Sequence, residues 1–404
     1  MSGDLQYDVE AIREDFPIFI HSPHIYLDNA ATTHKPTQVT EAITDFYEKH
    51  NANVHRGIYR IGAKATELYE SARTTVADFI GASADEIVFT SGCTEGINQV
   101  AFGLISDRVN AQHNIVCLAS EHHANLVPWQ VMANRKGAEL RIAHLDSRLD
   151  LDLDAISRLI DTHTALVAIA HTSNVTGARY PIEKVTAHAH KVGALVLIDA
   201  AQALLHEKID VRALGADFVV FSGHKLLGPT GCGVLYGKAE RLREMQPTRF
   251  GGDMIRRVEY DQTTFAAAPG KFEGGTPPIA AVIGMAAAIE YINRIGVKEI
   301  AEHTSKLTAA AEEIIRKEGF DILGNPTMRG PILSFSHSAI HPHDIASILD
   351  EQNIAVRAGH HCAQPFLKHI GLQATARASF SLYNTLAEIE SLGEALRFAK
   401  KILL

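Results

Sequence analysis

Apolar residues fall in compact blocks through the first 240 positions, with helix-spaced stretches between them. Blocks at 86–90, 114–118, 165–170, 194–198 and 218–221 read as strands, with another at 234–236. Helical patterns start at Thr94, follow Pro128 and cover 182–192. Strands that are apolar at nearly every position belong to a sheet covered on both faces, and the intervening helices supply that cover. The pattern predicts an α/β fold built on a mainly parallel sheet. After about Tyr236 the character changes. Residues 245–278 show no period and are punctuated by Gly251-Gly252 and Gly274-Gly275. Helices over 280–295 and 297–318, strands at 331–336, 354–357 and 377–382, and a last helix from Leu386 predict a smaller α+β domain. The boundary falls near 285–300. No internal repeat or low-complexity linker interrupts the chain.

Length and charge narrow the picture. At 404 residues the chain exceeds one typical core, so two domains are expected. Hydrophobic residues at 46% and charged residues at 21% fit an ordinary globular protein. A net charge of -9 argues against non-specific nucleic-acid binding, which depends on basic surfaces. Residues 1–8 lack the basic and apolar regions of a secretory signal. The longest apolar stretch, 280–289, is broken by Gly284 and falls short of the ~20 residues that span a bilayer. The four cysteines, Cys93, Cys117, Cys232 and Cys362, form no C-x-x-C pair. A disulfide framework is not expected, and a reducing, cytoplasmic setting is.

Candidate chemistry sits just beyond the predicted strands, at the sheet edge where α/β folds bind ligands. Ser91-Gly92-Cys93-Thr94 joins a strand to a helix, and exposed amides at a helix start suit a phosphate. Taken alone, these residues read more readily as a simple helix cap with a glycine turn. Asp199 ends an apolar strand, where a carboxylate needs a cationic partner or must cap the next helix. Lys225 follows a buried strand within Ser222-Gly223-His224-Lys225. Desolvation lowers a lysine pKa toward Schiff-base chemistry, whereas a lone lysine would snorkel to solvent. Together the three supply a phosphate cradle, a partner for a ring nitrogen and an amine for an aldehyde. Pyridoxal phosphate (PLP) asks a protein for that set.

Ser222-Gly223-His224-Lys225, with Asp199 and Gln202 upstream, resembles the fold-type I PLP enzymes of the class V aminotransferase superfamily. The segment 357–365, from Arg357 through His360, His361 and Cys362 to Pro365, is similar to cysteine desulfurases of group II. That branch includes the SUF-type and cysteine-sulfinate-type enzymes and selenocysteine lyases. The likeness extends to 26–31, 53–57, 121–125, 173–175 and 377–379. It implies a large PLP-binding domain over 22–290 and a small domain from 1–21 and 291–404 that carries the sulfur-accepting cysteine. It further implies that Lys225 holds the cofactor covalently, Asp199 pairs with its ring nitrogen and Gln202 lies by its phenolic oxygen. His122 would stack on the ring and serve as an acid or base. Thr94, Ser222 and His224 would bind the phosphate, joined by Thr276 from the partner of a homodimer. Asn174 and Arg377 would hold the substrate carboxylate, with Arg357 near the active-site mouth beside Cys362.

The implied reaction converts L-cysteine to L-alanine and leaves a persulfide on Cys362. A separate acceptor protein then draws on it for iron–sulfur clusters or other sulfur cofactors. Selenocysteine and cysteine sulfinate are alternative substrates of the same site. A plain aminotransferase, or a non-catalytic scaffold on this fold, are more distant alternatives. Three positions depart from the pattern: Cys93 stands for threonine, Ala200 for glycine and Leu227 for tyrosine. No metal is expected, because His55, His360, His361 and Cys362 lack zinc-ligand spacing. Cys117 and Cys232 lie in apolar strand contexts, whereas Cys362 sits among imidazoles and an arginine that favour thiolate.

Overall fold

The computed structural model describes residues 7–22, 24–55 and 57–404. Residues 1–6 of the assigned small domain, and Arg56 of the 53–57 motif, lie outside the described residues. The α/β expectation holds. The main sheet has seven strands: β1 (Ile87–Thr90), β2 (Asn114–Leu118), β3 (Glu139–Ala143), β4 (Thr164–Ala170), β5 (Leu195–Asp199), β6 (Phe218–Ser222) and β7 (Gly233–Gly237). Their order is β1-β7-β6-β5-β4-β2-β3. Strands β2 to β6 pair in parallel. Only β7 runs against its neighbours, β1 and β6. Two antiparallel steps restore direction, so β1 points the same way as β6. The C-terminal ends of β1, β2, β4, β5 and β6 therefore share one edge.

Every residue of β1, β2, β5, β6 and β7 is buried. That is why these strands read as unbroken apolar blocks rather than alternating ones. The pattern misses β3, an edge strand in which the charged Glu139 and Arg141 remain partly or fully exposed. Helix Ile279–Ile295 packs on helices Thr37–Asp45 and Arg60–Ile80. Helix Val297–Lys317 meets it at 77° and packs on the last helix, Leu386–Leu403. No single helix among the described residues is long and apolar enough to cross a membrane.

A second core forms around Leu307, Phe335, Leu349, Phe380 and Leu396. It rests on an antiparallel sheet in the order Asp321–Ile322, Ile332–Ser336, Thr375–Ser379, Arg357–Gly359. Phe16 packs into the first core and Leu27 into the second. The predicted strand at 354–357 divides in two. Ile354–Ala355 pairs in parallel with Ile25–Tyr26, and Arg357–Gly359 pairs antiparallel with Thr375–Ser379. Residues 245–278 are not wholly irregular, since Ile255–Val258 and Thr263–Phe265 form a hairpin. Its Val258 and Tyr260 are exposed, so no apolar face marks it in the sequence.

Candidate functional site

The shared strand edge assembles the site. Strand β1 leads to Gly92, which starts helix Cys93–Val100 with no side-chain cap. Apart from the Cys93 N–H, which donates to Ser222 Oγ, this leaves the first-turn amides without a side-chain cap. Strand β2 leads to Glu121 and His122, β4 to Thr172 and Asn174, and β5 ends in Asp199. Strand β6 ends at Ser222, ahead of the turn Gly223–Lys225. The second unit contributes Arg377 from strand Thr375–Ser379 and Cys362 from the turn after Arg357–Gly359. Glycine is needed at 233, because a Cβ there would lie 2.4 Å from the Gly92 Cα. That close approach lets the 91–94 turn fold down over β7.

One cavity of about 220 Å³ is lined by Thr94, His122, Asn174, Asp199, Gln202, Ser222, His224, Lys225, Arg357, Cys362 and Arg377. Each of these was singled out from the sequence. Thr276, also singled out, does not line this cavity. It lies in a separate recess of about 310 Å³ with Tyr69, Glu95, Arg249 and Glu273.

The polar contacts tie the cavity wall together. Ser222 Oγ accepts from the Cys93 N–H at 2.9 Å. Gln202 Nε2 donates to the Ala30 carbonyl at 2.8 Å. The Arg377 guanidinium donates to the Asn174 carbonyl and to Asp28 Oδ1, both at 2.9 Å, while its buried Nε has no partner among the described residues. Asn174 Nδ2 donates to the His361 carbonyl at 2.6 Å. The Cys93 thiol, at a position where the pattern has threonine, is buried. It points at Asp199 Oδ1, 3.6 Å away.

Burial sets the charge states. The Asp199 carboxyl is pushed above the usual range by desolvation, partly offset by the Ala201 N–H and by Lys225. It forms no ion pair among the described residues, so it presents a buried acid that a cationic N–H would satisfy. Burial lowers Lys225, opposed by Asp199 and Cys93 and reinforced by Arg377 and Arg357. An amine so depressed is closer to its neutral, nucleophilic form. His224 is lowered to about 4 by burial, then by Lys225 and Lys35.

His122 is lowered to about 3 by burial, with Lys225, His123, Arg377 and Arg357 adding to the effect. Its Nδ1 accepts from the Ala124 N–H at 3.0 Å, which leaves the ring proton on Nε2. His122 is therefore expected as the Nε2–H tautomer throughout pH 6–9. Nitrogen NMR of labelled histidine checks this, and a titration midpoint between 6 and 7 at His122 would contradict it.

Two residues of the site have no role legible in the sequence. Glu121 is buried and pushed up to about 8 by desolvation, although Ala170 N–H and Asn125 Nδ2 donate to it at 2.8 and 2.7 Å. It anchors the 121–125 turn to the end of β4. His123 touches the Cys362 turn directly. Neither carries a clear local signal, because Ala170, Cys362 and Gln364, which give them their roles, are remote in sequence. Among the described residues, no three His, Cys, Asp or Glu side chains converge as metal ligands.

A family model described as aminotransferase class-V matches residues 25–392. The chain is 47% identical to a probable cysteine desulfurase of Streptomyces coelicolor, over 97% of each sequence. Its structure is similar to a cysteine desulfurase from Thermococcus onnurineus NA1, with TM-score 0.94, 40% identity and 98% of each chain covered. It is also similar to the Escherichia coli cysteine desulfurase CsdA, with TM-score 0.92 and 38% identity over 98% of this chain and 100% of that one.

Proposed function

The chain belongs to the class-V aminotransferase family, and from that premise we propose that it works as a cysteine desulfurase with Cys362 as sulfur acceptor. Whole-length similarity to cysteine desulfurases supports the activity. The observation that carries the residue assignment is that Cys362 lines the same cavity as Lys225, His122, Asp199 and Arg377.

The residues fit pyridoxal phosphate. The uncapped helix start at Gly92, with Thr94, Ser222 and His224 around the cavity, suits a phosphate. The unpaired Asp199 suits a protonated ring nitrogen, and the desolvated Lys225 suits the aldehyde. When bound, the cofactor supplies an electron sink for charge developing at the substrate α-carbon. The protein does the rest. Arg377 and Asn174 orient the substrate carboxylate, to which a guanidinium offers paired donors. Lys225 Nζ takes the α-proton. His122, neutral with its proton on Nε2 and lining the same cavity, would pack against the bound ring. Cys362 Sγ attacks the substrate sulfur, forming an S–S bond as the C–S bond breaks. Cysteine and the enzyme thiol thus become alanine and an enzyme persulfide, with atoms conserved. An acceptor protein or thiol reductant regenerates Cys362. Alanine and sulfide release from cysteine, cysteine sulfinate and selenocysteine, measured side by side, tests the reading. Absence of alanine from cysteine would overturn it.

The position of Thr276 supports a homodimer in which each chain completes its partner's phosphate site, since Thr276 lies apart from its own chain's cavity. Ile58, Tyr59, Phe250 and Tyr260 are large apolar residues left exposed in the single chain. Sedimentation should show a dimer. Thr276→Ala should weaken cofactor binding about tenfold or more, the effect of one hydrogen bond to a charged group. Mixed dimers of Lys225→Ala and Thr276→Ala chains should regain one intact site. No recovery on mixing would place Thr276 elsewhere.

A further inference from the structure

We infer that His123 is a positioning residue for the Cys362 thiol, gripping the sulfur-accepting turn from both sides. The inference rests on the reading of Cys362 as sulfur acceptor. His361 and Cys362 both take left-handed backbone angles, φ 50° and 57°. Residues with a Cβ are strained there, so such a turn persists only where its surroundings hold it. His123 supplies two of the contacts that do so. Its N–H donates to the Cys362 carbonyl at 2.7 Å, and its Nε2 accepts from the Gln364 N–H at 3.2 Å. Asn174 Nδ2 adds a bond to the His361 carbonyl, and His361 Nε2 is anchored at Thr375 Oγ1, 2.9 Å away.

The Gln364 contact needs a ring nitrogen without a proton. Burial lowers the His123 pKa, and His360, 5.7 Å away between ring centroids, lowers it further. His122 faces it at 6.3 Å from the same turn. The neutral ring is thus the resting form. His122 and His123 are adjacent, so the imidazole in the cavity and the grip on Cys362 share one turn. That turn is fixed in place by Glu121 at the end of β4. The distance from Cys362 Sγ to the reacting sulfur is then set by His123 rather than by the flexible choice of a surface loop.

The variants His123→Ala, His123→Asn and His123→Gln separate this from a general packing role. Glutamine Oε1 reaches about as far as Nε2, whereas asparagine Oδ1 stops near Nδ1. In loaded enzyme without substrate, the Ala and Asn variants should show Cys362 alkylation by iodoacetamide and Gln364 amide exchange about tenfold faster. Their kcat on cysteine should fall about tenfold with KM changed less than about twofold, while selenocysteine turnover stays within about twofold. His123→Gln should restore all of these. Unchanged alkylation and exchange in the Ala variant would overturn the inference, as would rescue by Asn equal to that by Gln, or equal losses on both substrates. If Cys362→Ala itself spares cysteine turnover, the reading of Cys362 fails, while the alkylation and exchange rates still decide the grip.

Discussion

Lys225→Ala should abolish turnover of every amino-acid substrate, with alanine formation from cysteine falling about 10⁴-fold or more. The lysine ends the turn after β6, its amine desolvated and within electrostatic reach of Asp199 in the same cavity. It is asked to hold the cofactor and then to move the α-proton, and alanine can do neither. Lys225→Arg separates these duties from charge. Arginine keeps the positive charge beside Asp199, but its guanidinium stays protonated and makes no covalent bond to an aldehyde. Both variants should fail, and neither should trap cofactor after borohydride treatment. Substantial alanine formation by the Ala variant, or activity restored by arginine, would remove Lys225 from the role assigned to it.

Cys362→Ala should nearly eliminate desulfuration of cysteine while sparing the other substrates. Cleaving the C–S bond of cysteine needs a nucleophile to receive the sulfur, because sulfide is a poor leaving group. Selenium leaves more readily, and sulfinate departs as sulfite with little help. The half-buried Cys362 lines the cavity from the second unit, opposite the strand ends that hold Lys225 and Asp199. Its loss should therefore leave the cofactor spectrum unchanged. Cysteine turnover should drop about 100-fold or more, and selenocysteine and sulfinate turnover by less than about fivefold. A thiol that only supports its turn predicts similar modest losses on all three. Parallel rates on one preparation decide, and comparable retention of cysteine and selenocysteine turnover would end the persulfide scheme.

How much of this was legible beforehand depended on where each residue's partners lie. The strands β2, β5 and β6 stood out because both faces are buried and local apolarity suffices to mark them. Asp199, Ser222 and Lys225 were legible for the same reason: polar residues at the end of an apolar strand need an explanation. The edge strand β3 and the 255–265 hairpin were not, since neither has a fully buried face. The reversal of β7 was also hidden, because its residues are as apolar as those of its parallel neighbours. The roles of Glu121 and His123 depend on Ala170, Cys362 and Gln364, and contacts across 49 or 241 positions leave no local trace. Cys93 reads only as a departure from threonine until the fold sets its thiol 3.6 Å from Asp199 Oδ1.

The reversed strand β7 also dictates a timetable. Strand β1 is complete at residue 90, but the neighbour that seats it arrives only at Gly233–Gly237. On a ribosome the turn at 91–94 must wait through all of β2 to β6 before β7 can pin it beside Ser222. Arg377 and Cys362 emerge later still, so the wall of the cavity that comes from the second unit is the last to be laid down. Until β7 arrives, β1 is an apolar strand without a partner, the kind of segment that chaperones shelter.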